Sequence, residues 1–469
     1  MKNLFVNRFI GLLLVSVLIT FFAMGCSNDK DGRRHDVIVV GAGLAGLSAS
    51  LNLAQQGINV LLLEKEDRVG GKLYSVEVGG IAANLGAQYL YSGGSPFMDS
   101  YLKTLPLQIL GNTGIVWNGM YIGAGPEDEM LDQLPISQQA KDDMYAAFEQ
   151  LELDYNTIIE DRGFFTDTEP ETQLWKTLEG KACQDYLSAY QPEVYEYFNA
   201  ELGGENAGEI STLSSLLMVG WYGSPSEIPR ALVKGGNQVF AERVRDEFLA
   251  AGGSLRYNSE VAEIADAGDF VKVTCSDGLV FLSDYAIVAT PANVTKNIVS
   301  NITRSKIDAL NATGYGAVAV VGLHIKGLPS GDEVSAMLFV GDSNVRGYIN
   351  QTGPTLGNPD TGTVISAVVI DPETLQLDDT AFVQAVVESL KAINPDLDAE
   401  EDVLDYVIQR WHRGVVKIPP NFLTSYETAL RESVGRIYFA GDYSGYDPAL
   451  GGASTSGMRV STSLLEAKN

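Results

Sequence analysis

The chain has 469 residues, 45% hydrophobic and 20% charged, with 49 Gly, which excludes a mainly disordered protein, a collagen-like repeat and a disulfide-stapled small scaffold. With 60 acidic and 32 basic side chains its formal charge is −28, a surface that repels nucleic-acid phosphates and anionic lipid headgroups. Three Cys and three His, scattered along the sequence, are too few for a zinc or iron–sulfur centre.

Residues 1–25 read as a targeting segment, not as part of a fold. Lys2 and Arg8 precede an almost unbroken apolar run from Phe9 to Met24, too short for a comfortable membrane span, and small residues lead up to Cys26. A Cys directly after Gly25, followed by polar Ser27-Asn28-Asp29-Lys30, resembles the lipobox of bacterial lipoproteins. That resemblance implies acylation of Cys26 and an exported, membrane-attached protein; the alternative is an uncleaved N-terminal anchor helix. With Cys26 lipidated, Cys183 and Cys275 remain, and both are expected to be free thiols.

Asp36–Val40 is a short β-branched apolar run, as expected of a buried parallel strand. It enters Gly41-Ala42-Gly43-Leu44-Ala45-Gly46, and a helix is expected over Leu47–Ala54. This is G-x-G-x-x-G in the context it requires: Gly41 for the tight turn, Gly43 for backbone approach to a pyrophosphate, Gly46 for helix–strand packing. The helix N-terminus offers unpaired N–H donors to phosphate. A second strand, Ile58–Leu63, ends at Glu64, 18 residues after Gly46, where a carboxylate can accept from an adenosine ribose. Both NAD and FAD use this geometry.

The next residues separate the two. Glu64-Lys65-Glu66-Asp67-Arg68-Val69-Gly70-Gly71-Lys72 resembles the E-x-x-x-R-x-G-G-R extension of the FAD-dependent amine oxidase superfamily, with Lys72 in place of the final Arg. That superfamily holds amine and polyamine oxidases, protoporphyrinogen oxidases and phytoene-type desaturases. Further segments are similar in order: Leu85-Gly86-Ala87-Gln88-Tyr89, Lys234-Gly235-Gly236-Asn237, Glu260–Ile264, Asp284–Pro291, Arg436–Asp442 and Pro448–Gly457. The resemblance implies that Gly71 and Lys72 lie beside the FAD pyrophosphate, that Gly86, Ala87, Gln88 and Tyr89 line the flavin ring, and that Val261 meets the adenine. It also implies that Gly441 and Asp442 hold the ribityl and phosphate region, and that Gly452 and Ala453 open a helix facing the flavin pyrimidine edge. Between Glu260 and Asp284, an Asp277-Gly278 turn joins Val271–Cys275 to Leu279–Phe281 as a hairpin.

This order implies an α/β fold: a discontinuous, glutathione-reductase-like Rossmann FAD-binding domain from 34–98, 230–300 and 431–469. An inserted α+β substrate domain comprises 99–229 and 301–430. In the insertions, Met144, Ala147, Phe148 and Leu151 share a helix face, as do Phe382, Val386, Leu390 and Ile393. Ala317–Ile325 and Thr363–Ile370 read as strands. Between Glu127 and Glu171 there are 14 acids against Lys141 and Arg162, a solvated acidic face or a field that steers cations.

Two positions depart from the amine oxidases: Val320 stands where those relatives carry a Lys, and Ala449 where they carry a cage Tyr. No Cys lies near 415–435, so FAD is expected to be non-covalent. Arg410–Pro420 and Pro448–Ala453 are similar to the protoporphyrinogen-oxidase and desaturase branch. Trp411 and Tyr89 are candidates to shape the pocket beside the flavin; His324 and His412 read as structural. The spacing in Gly452–Gly457 is wrong for a serine-hydrolase elbow. The expected function is FAD-dependent transfer of a hydride from a C–N or C–C bond of a small or apolar substrate to flavin N5, with reoxidation by oxygen or a membrane quinone. A desaturase-like dehydrogenase and a non-catalytic flavin-binding lipoprotein are the alternatives.

Overall fold

The computed structural model describes residues 34–162, 172–223, 230–329, 334–353, 362–445 and 447–468; the N-terminal leader and Cys26 lie outside them. The β-branched run near the start forms the strand His35–Val40, with Val37–Val40 buried. It lies parallel to Val60–Leu63 on one side and to Val280–Val288 on the other. Among the described residues this sheet has seven strands: six run in the order Val261–Asp266, Val271–Cys275, Val280–Val288, His35–Val40, Val60–Leu63 and Ser254–Arg256, and Ile437–Phe439 joins beside Val280–Val288. Covered on both faces, the inner strands need no polar alternation, which is why their sequences are continuously apolar.

Where the sequence suggested a hairpin strand Leu279–Phe281 and a separate strand after Asp284, the structure has one strand, Val280–Val288. Its first half pairs antiparallel with Val271–Cys275, and its second half parallel with Ile437–Phe439. The C-terminal segment is thereby drawn into the sheet that the N-terminal strand begins. Helix Leu44–Gln55 is clasped by the final helix Leu450–Lys468: Ser48 Oγ donates to Ser454 O (3.2 Å) and Asn52 Nδ2 to Ser461 Oγ (2.7 Å).

The second sheet has seven strands among the described residues, in the order Val403–Lys417, Gly314–Ile325, Thr363–Val369, Gly347–Asn350, Ala336–Val340, Thr113–Trp117 and Met120–Gly125. Helices Gln138–Arg162, Pro192–Glu205 and Ser215–Gly223 build an apolar layer beside it. Met144, Ala147 and Leu151 are fully buried, as their spacing requires. Helix Asp379–Leu390 buries Phe382, Val386 and Leu390 and stops before Ile393. Among the acids of the 127–171 stretch, Glu129, Asp132, Asp142, Glu149 and Glu152 are exposed, whereas Asp154 is buried and accepts from Tyr186 Oη (2.9 Å). Cys183 and Cys275 are free and buried. Among the described residues no helix is long and apolar enough to cross a membrane.

Candidate active site

The glycine loop builds the first part of the site. Gly41 has φ +101°, a conformation that L side chains rarely adopt, and Gly46 packs directly against the Gly41 carbonyl. Beside Gly43, by contrast, a Cβ would meet nothing within 4 Å. Gly43 is the N-cap of helix Leu44–Gln55 and contributes no side chain to it, so Leu44 and Ala45 in its first turn keep backbone N–H groups for an anion.

Glu64 accepts from Ala42 N (2.7 Å) and, with its other oxygen, from Glu66 N (3.0 Å). Both bonds lock it against the loop, and each oxygen keeps a lone pair for a hydroxyl donor. Lys65 next to it is exposed and pairs with Glu66. Ser259 N donates to Glu64 O (2.8 Å), which brings the strand beginning at Val261 alongside. Val261 itself is buried and pairs with Cys275.

The E-x-x-x-R-x-G-G-K run folds back onto the glycine loop. Gly70 N donates to Ala42 O (2.9 Å), and Gly71 lies against Gly43. Arg68 braces the turn by donating to Gly71 O (3.0 Å) and stacking 4.2 Å from the Tyr74 ring centroid. From the far end of the sequence, Asp442 meets Lys72: Oδ2 to Nζ is 2.6 Å. Gly441 N donates to Ser456 Oγ (2.9 Å), fixing the turn before Asp442 to the final helix.

Gly86–Tyr89 forms the next wall. Ala87 N donates to Lys72 O (2.9 Å), and Asn237 Nδ2 donates to Ala87 O (3.0 Å), so the Gly235-Gly236-Asn237 motif acts by holding this segment. Gln88 Nε2 donates to Asn84 O and Gly86 O, while Gln88 Oε1 is buried with no hydrogen-bond partner among the described residues. Trp411 donates through Nε1 to Leu85 O (2.6 Å) and packs edge-on against Tyr74; it supports this wall from outside. Val320 is buried in an apolar cluster with Leu85. His324 packs against Gly79 and Gly362, and His412 is exposed.

At the start of the final helix, Asp447 Oδ1 accepts from Ala449 N and Oδ2 from Gly452 N, both at 2.9 Å. Burial raises its carboxyl to about 6 despite these two donors. Gly451 packs against Asp447 and the Gly94 carbonyl, which leaves no room for a side chain at 451. Gly452 touches the Asp447 carbonyl as closely, and Ala453 follows on the half-buried face.

Between the Tyr89–Gly94 segment and helices Pro192–Glu205 and Ser215–Gly223 lies a cavity of about 740 Å³ that the sequence pattern did not foretell. Its chemistry comes from Tyr89, Tyr91, Glu201, Glu205, Trp221 and Arg230. Glu201 and Glu205 sit one turn apart on helix Pro192–Glu205, a like-charge spacing that costs a few tenths of a kcal/mol on an exposed helix. Here Glu201 is ion-paired with Arg230 and accepts from Tyr222 Oη (2.7 Å). Glu205 accepts from Tyr89 Oη (2.6 Å), and burial raises its carboxyl above the ordinary range. Burial, then the Glu205 charge, pushes the Tyr89 phenol well up, so Tyr89 stays a donor. Tyr89, Tyr91 and Trp221 follow one another at ring-centroid separations of 6.3 and 6.0 Å. Of the two pocket candidates read from the sequence, Tyr89 lines this cavity and Trp411 does not; the i, i+4 acids and the Trp221-Tyr222 pair were further signals.

The open space at Gly43, the Lys72 ammonium at the same mouth and the orphaned Gln88 acceptor fit a flavin dinucleotide. The family model for flavin containing amine oxidoreductase matches residues 44–465. The chain belongs to this family. FAD is the cofactor of this flavin-containing oxidoreductase. It is similar to polyamine oxidase 2 of Arabidopsis thaliana, 23% identical over 457 residues that span 91% of this chain and 87% of that protein. It is also similar to lysine-specific histone demethylase 1 homolog 3 of Oryza sativa subsp. indica, 25% identical over 472 residues, 93% of this chain. The chain spans 54% of that demethylase's length. Among solved structures, putrescine oxidase bound to putrescine shares the fold, with a TM-score of 0.76, 19% identity, and coverage of 92% of this chain and 99% of that one.

Proposed function

We propose that this flavoprotein oxidises an amine at the carbon next to nitrogen, giving an imine that water hydrolyses. When bound, the flavin supplies the hydride acceptor, and oxygen is the proposed electron sink, giving hydrogen peroxide. The carrying observation is the carboxylate pair Glu201 and Glu205 facing a cavity that shares Tyr89 with the flavin-lining segment. A hydrocarbon seated there would leave a carboxylate desolvated and unpaired, which is costly; an ammonium compensates it. The same observation weighs against desaturation of an apolar substrate. Tyr89 and Trp221 contribute rings that exclude water and attract a cation. The missing strand Lys, replaced by Val320, implies that no lysine-held water assists here.

The proposal extends to place. We infer export and tethering through lipid on Cys26, supported by the apolar run and the lipobox-like Gly25-Cys26. Cys26→Ser should release the protein from the membrane fraction; retention there after washing refutes the tether.

The test of function is anaerobic absorption spectroscopy of the holoprotein. Flavin bands that bleach with a primary amine and recover in air with peroxide support the reading. Bands that stay oxidised with amines yet bleach with an unsaturated hydrocarbon substrate overturn it.

A further inference from the structure

The cavity is not simply acidic: its charges are already partly spent. Glu201 gives one oxygen to Arg230 and the other to Tyr222. Glu205 gives Oε1 to Tyr89, and its Oε2 has no hydrogen-bond partner among the described residues. Tyr91, the neighbour of both Glu205 and Asp447, likewise has an uncommitted hydroxyl among the described residues. Among the described lining residues, Glu201 and Glu205 are the acids and Arg230 is the base. The pair Glu201–Arg230 cancels, leaving room for one positive charge.

We propose that this cavity selects a primary monoamine with an apolar or aromatic body, and that Glu205 Oε2 with the Tyr91 hydroxyl holds its single ammonium. Three N–H donors of the ammonium find the carboxylate oxygen, the phenol oxygen and the faces of Tyr91 and Trp221. Phe148 and Leu131 offer apolar surface for the body. A diamine fits poorly for a definite reason: with one ammonium at Glu205, the second meets Arg230 and a carboxylate already neutralised. This rests on the amine reading for its chemistry, though binding can be measured without turnover.

The experiment uses the full-length holoprotein in detergent, with 2-phenylethylamine and 1,4-diaminobutane as probes. Binding is read by quenching of tryptophan fluorescence and by thermal shift, and flavin reduction by anaerobic stopped flow. We expect 2-phenylethylamine to bind at least tenfold more tightly than 1,4-diaminobutane. Glu205→Gln should weaken the monoamine at least thirtyfold while leaving flavin absorbance intact. Arg230→Met, which uncovers Glu201, should shift preference toward the diamine at least tenfold. A diamine bound as well as the monoamine by the parent overturns the proposal, and that comparison needs no variant to fold. Unchanged monoamine binding in Glu205→Gln also overturns it. Should amines bleach the flavin with the diamine preferred, this inference fails alone. Should Glu205-dependent monoamine binding occur without bleaching, the oxidation reading fails and this inference stands.

Discussion

Gly43 and Gly46 lie three residues apart in the same turn, and their surroundings predict opposite failures. A methyl on Gly46 would overlap the Gly41 carbonyl oxygen and lie 3.3 Å from Ala289 Cβ. Replacing a helical Gly by Ala gains about 1 kcal/mol in propensity, but backbone overlap of this kind costs up to about 3 kcal/mol. Gly46→Ala should therefore lose about 2 kcal/mol, which for about 2 cal/mol/K of unfolding entropy per residue is a melting drop of about 2 °C without flavin. Gly43 differs: its φ of −69° and ψ of 176° suit any residue, and a Cβ meets nothing within 4 Å. Losing an N-cap Gly costs the apoprotein no more than about 1 kcal/mol. That empty space is where a pyrophosphate would approach the backbone, so the methyl should cost about 1–3 kcal/mol of FAD affinity, roughly 5- to 150-fold in Kd. The assay is FAD titration of apoprotein by flavin fluorescence, alongside thermal unfolding of each apo variant. If Gly43→Ala binds FAD within threefold of the parent, the space beside Gly43 is not the pyrophosphate seat.

Three further outcomes follow from single groups. Lys72→Met should weaken FAD about tenfold and flatten the salt dependence of binding, because it removes the cation opposite Asp442; an unchanged salt slope contradicts this. Asp447 is raised from 3.8 to about 6 by burial, so its contribution to stability is fully present below pH 3.8 and lost by about pH 6. Asp447→Asn should remove that fall of about 3 kcal/mol, checked by urea unfolding at several pH values, and an identical pH profile in both proteins rejects it. Lys306 is buried, donating to Leu430 O (3.0 Å) 3.7 Å from the Phe439 ring centroid, and desolvation lowers it to about 7. Its folded pKa lies below the unfolded 10.5, so stability should rise with pH between those values. Lys306→Met should abolish that rise, up to about 5 kcal/mol, in parallel melts at increasing pH; a variant that keeps the slope refutes the assignment.

By itself the sequence determined the cofactor end of this protein. The strand His35–Val40, the turn at Gly41, the following helix and Glu64 are set by chemistry local to about thirty residues, and the folded protein keeps them in register. Motif order also carried the C-terminal segment, which the structure brings back to the first motifs where Asp442 meets Lys72. The far side of the site was decided only in three dimensions. Glu201 and Glu205 look in sequence like any solvated i, i+4 pair, while the richer acidic stretch from Glu127 is the more conspicuous, and most of its described acids are exposed. What buries Glu205 is the packing of helix Pro192–Glu205 beside Ala336–Val340 and the approach of Tyr89, which comes from 116 residues earlier. Local pattern records which face of a helix is apolar. Which polar residues lose their water depends on what the rest of the protein lays over them.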